Sequence, residues 1–597
     1  MKQLIVFLLA AGIILVNCTE YRKTGANAVF KWADNELETL ETDLLALDSS
    51  VLNRKKLTTL QQKFFKSRLQ YKRVELLVEY YFQGLTKRIN GPALPDIKVE
   101  DGQVWPPHGF QVIEQALYDN YTLERNKFIH NEIQLLLTDL RFIRSTLSTQ
   151  PLLERHAHEL MQHQLIRIVT QGQTGFDSPL ALQSIPESIS SLEGLSIFCE
   201  KYFSKKSFVD SVEQLITISS KYIREHSNFD EFDRLYFLRT YLFPLSSTLL
   251  SNYKIDHSDT VLTKPFFGGL VQVAKGEFNP DFFVNYASGV STPAKNKLGK
   301  RLFYETRLSS SKKISCSNCH NPTLYFTDGK NKAANFIHGG LLERNSPTLL
   351  YAGLQAAQFY DMRSITLEDQ INEVMKNKKE FDLSPISVAK MLNEDSSYRL
   401  EFEKAFPGST SFGSYEIRNA IASYVRTLIP FSSSFDNYLQ GRSEALSSHA
   451  KRGFNLFMGK AKCGTCHFFP VFNGTVPPWY TKAESEIIGV PKTPIWKNAS
   501  VDDDQGRYEI NQMEELRYSF KTPTVRNAAY TAPYMHNGVY KTLEEVIRFY
   551  EVGGGVGIGI NLSYQTLPFD KLQLSKDDKL ALIEFIKSLS DLSVAQR

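Results

Sequence analysis

The chain has 597 residues, of which 42% are hydrophobic and 12% aromatic, and its formal net charge is +4. This length exceeds what one hydrophobic core usually serves, so we expect several domains. The near balance of charge argues against nucleic acid as a partner and gives no sign of a strongly charged protein partner.

The chain begins with the pattern of an exported protein. Lys2 precedes an apolar run at residues 4–16, which is short for a membrane span and has the proportions of a secretory signal. Cys18 follows almost directly, as in a bacterial lipobox, so we predict a signal peptide over 1–18 and lipidation of Cys18. The prediction is a bacterial lipoprotein that faces the periplasm or lies on the outer membrane. Because Asn17 is unusual before a lipidated cysteine, ordinary signal cleavage and an uncleaved anchor stay open.

Residues 19–255 predict an all-α helical domain. Apolar residues recur at three- and four-residue spacing, with few Gly or Pro breaks, over 57–85, 124–147, 152–170 and 207–223. The histidines here lie mostly beside charged residues, which favours solvated or core positions over a metal site.

One string in this domain weakly resembles a known motif. Gly109-Phe-Gln-Val-Ile-Glu114 is similar to the G-x-H-x-x-E motif of imelysin-like helical proteins. Gln111 stands where that motif has its metal-binding histidine, and an amide is a poor transition-metal ligand. The resemblance therefore suggests the helical fold and carries over no metal or peptidase role.

Two copies of a haem-attachment pattern dominate the C-terminal part. Cys316-Ser-Asn-Cys319-His320 and Cys463-Gly-Thr-Cys466-His467 both read C-x-x-C-H, in which two thiols bond to the haem vinyl groups and the histidine binds the iron. The alternative is a pair of redox or zinc C-x-x-C motifs that each happen to precede histidine. Four of the six cysteines fall in these strings, which favours two covalent c-type haems. Cys199 has apolar neighbours and is expected to be buried and inert.

The spacing of these motifs predicts the domain organisation. Gly, Pro, Asn and Ser cluster between 258 and 300, which indicates a linker and the entry to the haem region. We expect c-type cytochrome-like haem domains at 262–440 and 441–597. The predicted fold class is mainly α, with the helical domain followed by these two haem domains.

Several strings around the motifs, in the same order, resemble bacterial dihaem cytochrome c peroxidases and their MauG-like relatives. They are 298–311, Arg344-Asn-Ser-Pro-Thr348, Gln358-Phe-Tyr-Asp361, 520–527 and Ala532-Pro-Tyr-Met-His-Asn-Gly538. The resemblance covers about residues 274–597 and leaves out the N-terminal domain.

The resemblance implies that the first haem is the site of peroxide reduction. His320 would be its proximal iron ligand, while Gln370 and Glu380 match the distal residues that orient peroxide and move its proton. Val374 stands where the family often has proline. His338 lies in the loop that supplies a removable distal ligand in some relatives; a plain loop histidine is the equal alternative.

The resemblance implies that the second haem stores or relays electrons. His467 would be its proximal ligand, and Tyr550 occupies the distal position, as in the MauG-like group. Tyrosinate favours oxidised iron, whereas methionine raises the reduction potential. Met535 is the alternative ligand if Tyr550 is only a core aromatic residue. Tyr360 stands where the family has a tryptophan relay between the haems.

The resemblance also implies a calcium ion between the haems. Asn345, Thr531 and Pro533 match its ligands, an all-oxygen set that suits a hard cation.

These features predict a dihaem c-type peroxidase that reduces hydrogen peroxide with electrons relayed through the second haem. The donor would be a small redox protein, either a c-type cytochrome or a cupredoxin. One alternative is a MauG-like oxidase that uses peroxide to oxidise a protein or small molecule. The other is a non-enzymatic electron-transfer lipoprotein, which a polar distal pocket argues against.

Overall fold

The computed structural model describes residues 2–253, 269–409, 411–568 and 570–595, without the side chains of residues 1–24, 593 and 595. The mainly helical fold class is confirmed. Cys18 belongs to the stretch whose side chains lie outside this description. Within the part that is described, no helix is both long enough and apolar enough to cross a membrane.

The chain divides into two compact units, Met1–Ile255 with Gly268–Val271, and Asp256–Phe267 with Gln272–Arg597. The predicted border between 255 and 262 falls in residues 254–268, outside the described residues. Both haem motifs belong to the second unit. The finer division at 440 and 441 stays a prediction.

Long amphipathic helices form the first unit. In the helix at Lys206–Glu225, the buried residues recur at helical spacing and include Phe208, Val212, Ile216 and Ile223. The α-helices of this unit are α1 (Lys2–Leu52), α2 (Leu57–Tyr81), α3 (Gln83–Asn90), α4 (Phe110–Tyr118), α5 (Asn126–Leu147), α6 (Glu154–Arg167), α7 (Ser184–Tyr202), α8 (Lys206–Glu225), α9 (Arg234–Phe237) and α10 (Phe243–Ser251). Strands β1 (Asp96–Lys98) and β2 (Gln103–Trp105) pair antiparallel.

The second unit consists of shorter helices joined by long irregular segments. Its α-helices are α11 (Gly269–Lys275), which begins in the first unit, α12 (Pro293–Phe303), α13 (Cys316–Cys319), α14 (Leu367–Lys376), α15 (Pro385–Asn393), α16 (Ser396–Ala405), α17 (Ser414–Arg426), α18 (Ser434–Leu439), α19 (Ser448–Phe457), α20 (Tyr508–Asn511), α21 (Leu543–Glu551), α22 (Gly554–Gly557), α23 (Lys576–Ser588) and α24 (Leu592–Ala595). Strands β3 (Ser485–Glu486) and β4 (Phe520–Lys521) form a short antiparallel pair.

A close helix crossing supports the first haem motif. Helices α12 and α17 meet at Gly299, where a Cβ atom would lie only 1.8 Å from the carbonyl oxygen of Ala420. Any larger residue would push the helices apart. Cys316 packs at the margin of the hydrophobic cluster that includes Leu302 and Ile417. The crossing therefore holds in place the hydrophobic cluster against which Cys316 packs.

Candidate functional site

The first attachment motif forms a one-turn helix with a defined start. Ser315 is the N-cap of α13, and its backbone N–H donates to Oδ1 of Asn318, 2.8 Å away. This cap satisfies groups that a short helix leaves without partners. Both cysteines of the turn are free thiols.

The imidazole of His320 is oriented by the loop that follows it. Nδ1 lies 3.1 Å from the carbonyl oxygen of Phe326. A carbonyl oxygen only accepts, so Nδ1 carries the proton and Nε2 keeps its lone pair. Burial lowers the pKa of His320, which also favours the neutral ring. This is the form that binds iron.

A cavity of about 440 Å³ opens beside this histidine. It lies within the usual size range of cofactor pockets, about 300–1,000 Å³. Its wall contains residues that we predicted to attach the haem, to bind peroxide or to lie between the haems. They are Cys316, Cys319, His320, Asn345, Tyr360, Gln370 and Glu380. His338 is not part of the wall and lies on an exposed loop, with its N–H bonded to Oδ1 of Asn335.

Helix α14 and the turn after it present the two distal side chains. Thr366 caps the helix, and Gln370 and Val374 lie one turn apart, so both reach the cavity. Glu380 follows in a turn closed by its N–H bond to the carbonyl oxygen of Asn377, at 3.0 Å. Gln370 and Glu380 therefore belong to one local structure.

Glu380 has an altered acidity that suits proton transfer. Burial raises its pKa to about 7, against the opposing influence of the Arg363 guanidinium. A carboxyl group with this pKa exchanges a proton readily near neutral pH. No local sequence pattern indicates this shift in pKa, because the shift depends on the surrounding cavity wall.

This arrangement fits a covalently bound haem. Two free thiols, a neutral imidazole with Nε2 available and a largely apolar cavity lie on the same wall. These are the groups that c-type haem requires. The polar groups of Gln370 and Glu380 line the same cavity.

The second attachment motif shows the same chemistry. Cys463–Thr465 form a 3₁₀ turn, and Nδ1 of His467 lies 3.0 Å from the carbonyl oxygen of Pro523 and 3.3 Å from that of Phe472. Burial lowers the pKa of His467 to about 4, so the ring is neutral. These residues fit a second haem for the same reasons as the first.

Tyr550 belongs to the surroundings of this second motif. It lies in the last turn of α21, and its pKa is raised well above the ordinary value by burial and by the nearby sulfur atoms of Cys466 and Cys463. Glu486, on β3, lies near the same motif. Burial, and to a smaller extent the charge of Glu484, raises the pKa of Glu486 to about 7. Met535, the alternative ligand, packs against the hydrophobic cluster around Tyr540 and Phe549.

Hydrogen bonds fill the place where the resemblance implies calcium. The Asn345 amide nitrogen donates to the carbonyl oxygens of Pro533 and Met535, at 3.1 and 2.9 Å. Its Oδ1 accepts from the Tyr360 hydroxyl, at 2.6 Å. As placed, this set does not fit a cation, because an N–H donor faces the carbonyl groups. The calcium site, including Thr531, stays a prediction.

An ion-pair network that was not predicted from the sequence adjoins the cavity. Arg344 binds Asp361 at 2.5 Å and Asp504 at 2.6 Å, and Arg363 binds Asp361 at 2.6 Å. The motif around 344 and the acidic run at 502–504 were the available signals, but their pairing depends on the fold. Glu509 and Ile510, from α20, complete the cavity wall.

The string at 109–114 has a structural role in the first unit. The Gln111 amide nitrogen donates to the backbone oxygen of Asn90, at 2.8 Å. Oε1 of Glu114 accepts from the backbone N–H groups of Leu180 and Ala181, at 2.9 and 2.7 Å. Both side chains therefore fix loops within the helical unit.

Comparisons with known proteins concern the second unit. The family described as di-haem cytochrome c peroxidase matches residues 293–444. The methylamine utilization protein MauG of Methylorubrum extorquens is 33% identical over 50% of this chain and 79% of its own length. Cytochrome c551 peroxidase of Nitrosomonas europaea is 32% identical over 49% of this chain and 79% of its own length.

A solved structure of a MauG-like protein associated with microbial copper homeostasis is 28% identical to this chain. The alignment covers 52% of this chain and 93% of the MauG-like protein, with a TM-score of 0.45. The peroxidases among these relatives are peroxide-dependent oxidoreductases. The N-terminal region is assigned to no family by these comparisons.

Proposed function

The C-terminal half of this chain belongs to the di-haem cytochrome c peroxidase and MauG family, and we propose that it reduces hydrogen peroxide in the cavity beside His320. The observation that carries this proposal is the shared wall of that cavity. Gln370 and Glu380 line it together with His320, and burial brings the pKa of Glu380 to about 7.

Glu380 and Gln370 have distinct tasks in this proposal. A haem held by Cys316, Cys319 and His320 would supply the redox chemistry that cleaves the O–O bond. The Glu380 carboxylate accepts a proton from one peroxide oxygen and returns it to the other oxygen, which leaves as water. The Gln370 amide orients the peroxide by hydrogen bonding. Two electrons and two protons in all convert one peroxide into two waters.

The second motif would hold the haem that stores electrons, and Tyr550 would be a ligand of its iron together with His467. The electrons come from a small redox protein such as a c-type cytochrome or a cupredoxin. The protein is exported and held at a bacterial membrane through lipid on Cys18.

A second candidate function is peroxide-dependent oxidation of a protein or small molecule. The position of Tyr550 beside Cys463 and Cys466 favours it, because tyrosinate stabilises oxidised iron. Such a haem is a poor acceptor for electrons from a moderate-potential cytochrome.

Rapid mixing with peroxide separates these functions. The holoprotein is mixed in its diferric and half-reduced states while the haem spectrum is recorded. Reaction only after reduction supports the peroxidase, and reaction of the diferric form supports the oxidase. If neither state reacts, both enzymatic proposals are wrong and the non-enzymatic electron-transfer alternative stands.

A further inference from the structure

Two tyrosine rings stack on each other, and one of them belongs to the loop that follows the first haem motif. The Tyr325 and Tyr530 ring centroids lie 4.8 Å apart, and the ring planes differ by 4°. Parallel rings at this distance form an offset stack, in which part of each face is in van der Waals contact. The pair therefore forms one continuous aromatic stack.

The buried member of the stack belongs to the loop that orients His320. Tyr325 directly precedes Phe326, whose carbonyl oxygen accepts from Nδ1 of His320 at 3.1 Å. The Thr348 hydroxyl donates to the carbonyl oxygen of Tyr325, at 2.6 Å. The backbone of Phe326 and one hydrogen bond therefore connect Tyr325 to the imidazole.

The backbone of this loop is held in an uncommon conformation. Tyr325 and Phe326 have φ values of 53° and 60°, in the left-handed region. This conformation costs bulky residues free energy, so it persists where surrounding contacts enforce it. The carbonyl that holds His320 and the ring that stacks on Tyr530 are therefore fixed by the same turn.

The other member of the stack reaches solvent. Tyr530 is 59% exposed, whereas Tyr325 is 8% exposed. The stack thus leads from the proximal side of the first haem site to the protein surface. Tyrosine is one of the few side chains that can give up a single electron to a strong oxidant. Tyr360 lines the cavity and does not belong to this stack.

We propose that Tyr530 is a surface electron-entry residue for the first haem site, connected to it through the Tyr325 ring. The inference rests on the proposed function, which supplies the oxidant. The Tyr530 phenol gives one electron through Tyr325 to the peroxide-oxidised haem site and releases its proton to water. A neutral tyrosyl radical remains. A one-electron donor in solution then restores the electron, and water returns the proton.

Radical trapping with peptide mapping tests this assignment. The holoprotein is treated with hydrogen peroxide and a nitroso spin trap, and adducts are located by mass spectrometry. We expect an adduct at Tyr530 that is lost in Tyr530→Phe. Tyr286, which is 68% exposed, is the control for exposure alone. Adducts at Tyr286 equal to those at Tyr530 overturn the proposal.

Tyr325→Leu tests the connection itself, because it removes the buried ring and leaves Tyr530 exposed. We expect the Tyr530 adduct to fall to the Tyr286 level in this variant. An unchanged adduct overturns the role of Tyr325. Haem absorbance is followed in the same samples. A haem that reacts with peroxide without an adduct at Tyr530 overturns the relay alone, and a haem that does not react overturns the proposed function together with it.

Discussion

The Tyr360 hydroxyl donates a 2.6 Å hydrogen bond to Oδ1 of Asn345, and the Asn345 amide nitrogen donates to the backbone at Pro533 and Met535. One side chain thus ties the wall of the first cavity to the segment that precedes α21. A movement of Tyr360 would therefore disturb both the cavity wall and the hydrogen bonds that Asn345 donates to Pro533 and Met535. The same bond fixes the orientation of the Tyr360 hydroxyl within the cavity wall.

Tyr360→Phe is expected to slow electron transfer between the haems. It removes the oxidisable phenol and leaves Oδ1 of Asn345 without this donor, a loss of about 1 kcal/mol in stability. Stopped-flow spectra of the half-reduced holoprotein measure the rate. Tyr360→Trp, which restores an oxidisable ring, is expected to recover it. Equal rates for the wild type and Tyr360→Phe would rule out the relay role.

Glu380→Gln is expected to lower kcat/KM for peroxide by about 10²–10⁴-fold, because the amide cannot accept the peroxide proton. Haem absorbance should be unchanged, since Glu380 takes no part in attachment. Glu373→Gln is the matched control, as Glu373 is an exposed residue of α14, the helix before the Glu380 turn, and does not line the cavity. A Glu380→Gln variant with wild-type kinetics would disprove the assignment.

The pH dependence of peroxide reduction should report the same residue. Glu380 must be ionised to accept a proton, and burial raises its pKa to about 7. Activity is therefore expected to be low below pH 7 and to rise as the pH passes through about 7. The rise should vanish in Glu380→Gln. A wild-type profile that is flat between pH 5 and 9 would contradict a general base with this pKa.

Tyr550→Phe is expected to change the spectrum of the second haem and raise its reduction potential, because the variant lacks the anionic oxygen ligand that we propose for Tyr550. Spectroelectrochemical titration of the holoprotein measures both effects. Tyr540→Phe is the control, since Tyr540 lies in the neighbouring hydrophobic cluster. If the spectrum and potential of Tyr550→Phe matched the wild type, Met535 would become the preferred ligand.

Arg344→Met is expected to destabilise the second unit by about 3 kcal/mol, because it leaves the Asp504 carboxylate without its partner. Arg344 holds the pKa of Asp504 below its usual value, so its loss removes that stabilisation of the charge. Denaturant unfolding followed by haem absorbance gives the shift. Arg517→Met breaks an exposed pair with Glu514 and should cost about 0–1 kcal/mol. Equal costs for both variants would contradict this account.

Local chemistry explains which parts of the fold were predictable. The helices of the first unit follow from apolar spacing, and the structure begins α2 at Leu57 and ends α5 at Leu147, both as expected. Boundaries moved where side chains interrupt the pattern: the expected helix 57–85 breaks at Phe82, and the one expected to end at 170 continues as a π-helix over Ile168–Gly172.

The candidate site was partly predictable for a different reason. Gln370 and Glu380 were placed by resemblance, and they share a cavity because a short cap and turn connect them. The ion pairs of Arg344 and the stack of Tyr325 on Tyr530 join residues far apart in sequence. No local pattern encodes such contacts, since they depend on how irregular segments cross.

The wall that α20 adds to the first cavity has a consequence for the ancestry of the chain. Glu509 and Ile510 follow the second attachment motif in sequence, yet they enclose the space beside His320. A fragment ending near residue 440 would carry the first motif with one side of its pocket missing. The two halves of the haem unit are thus expected to be inherited together. A chimaera that exchanges residues 441–597 with a relative would alter access to the first haem.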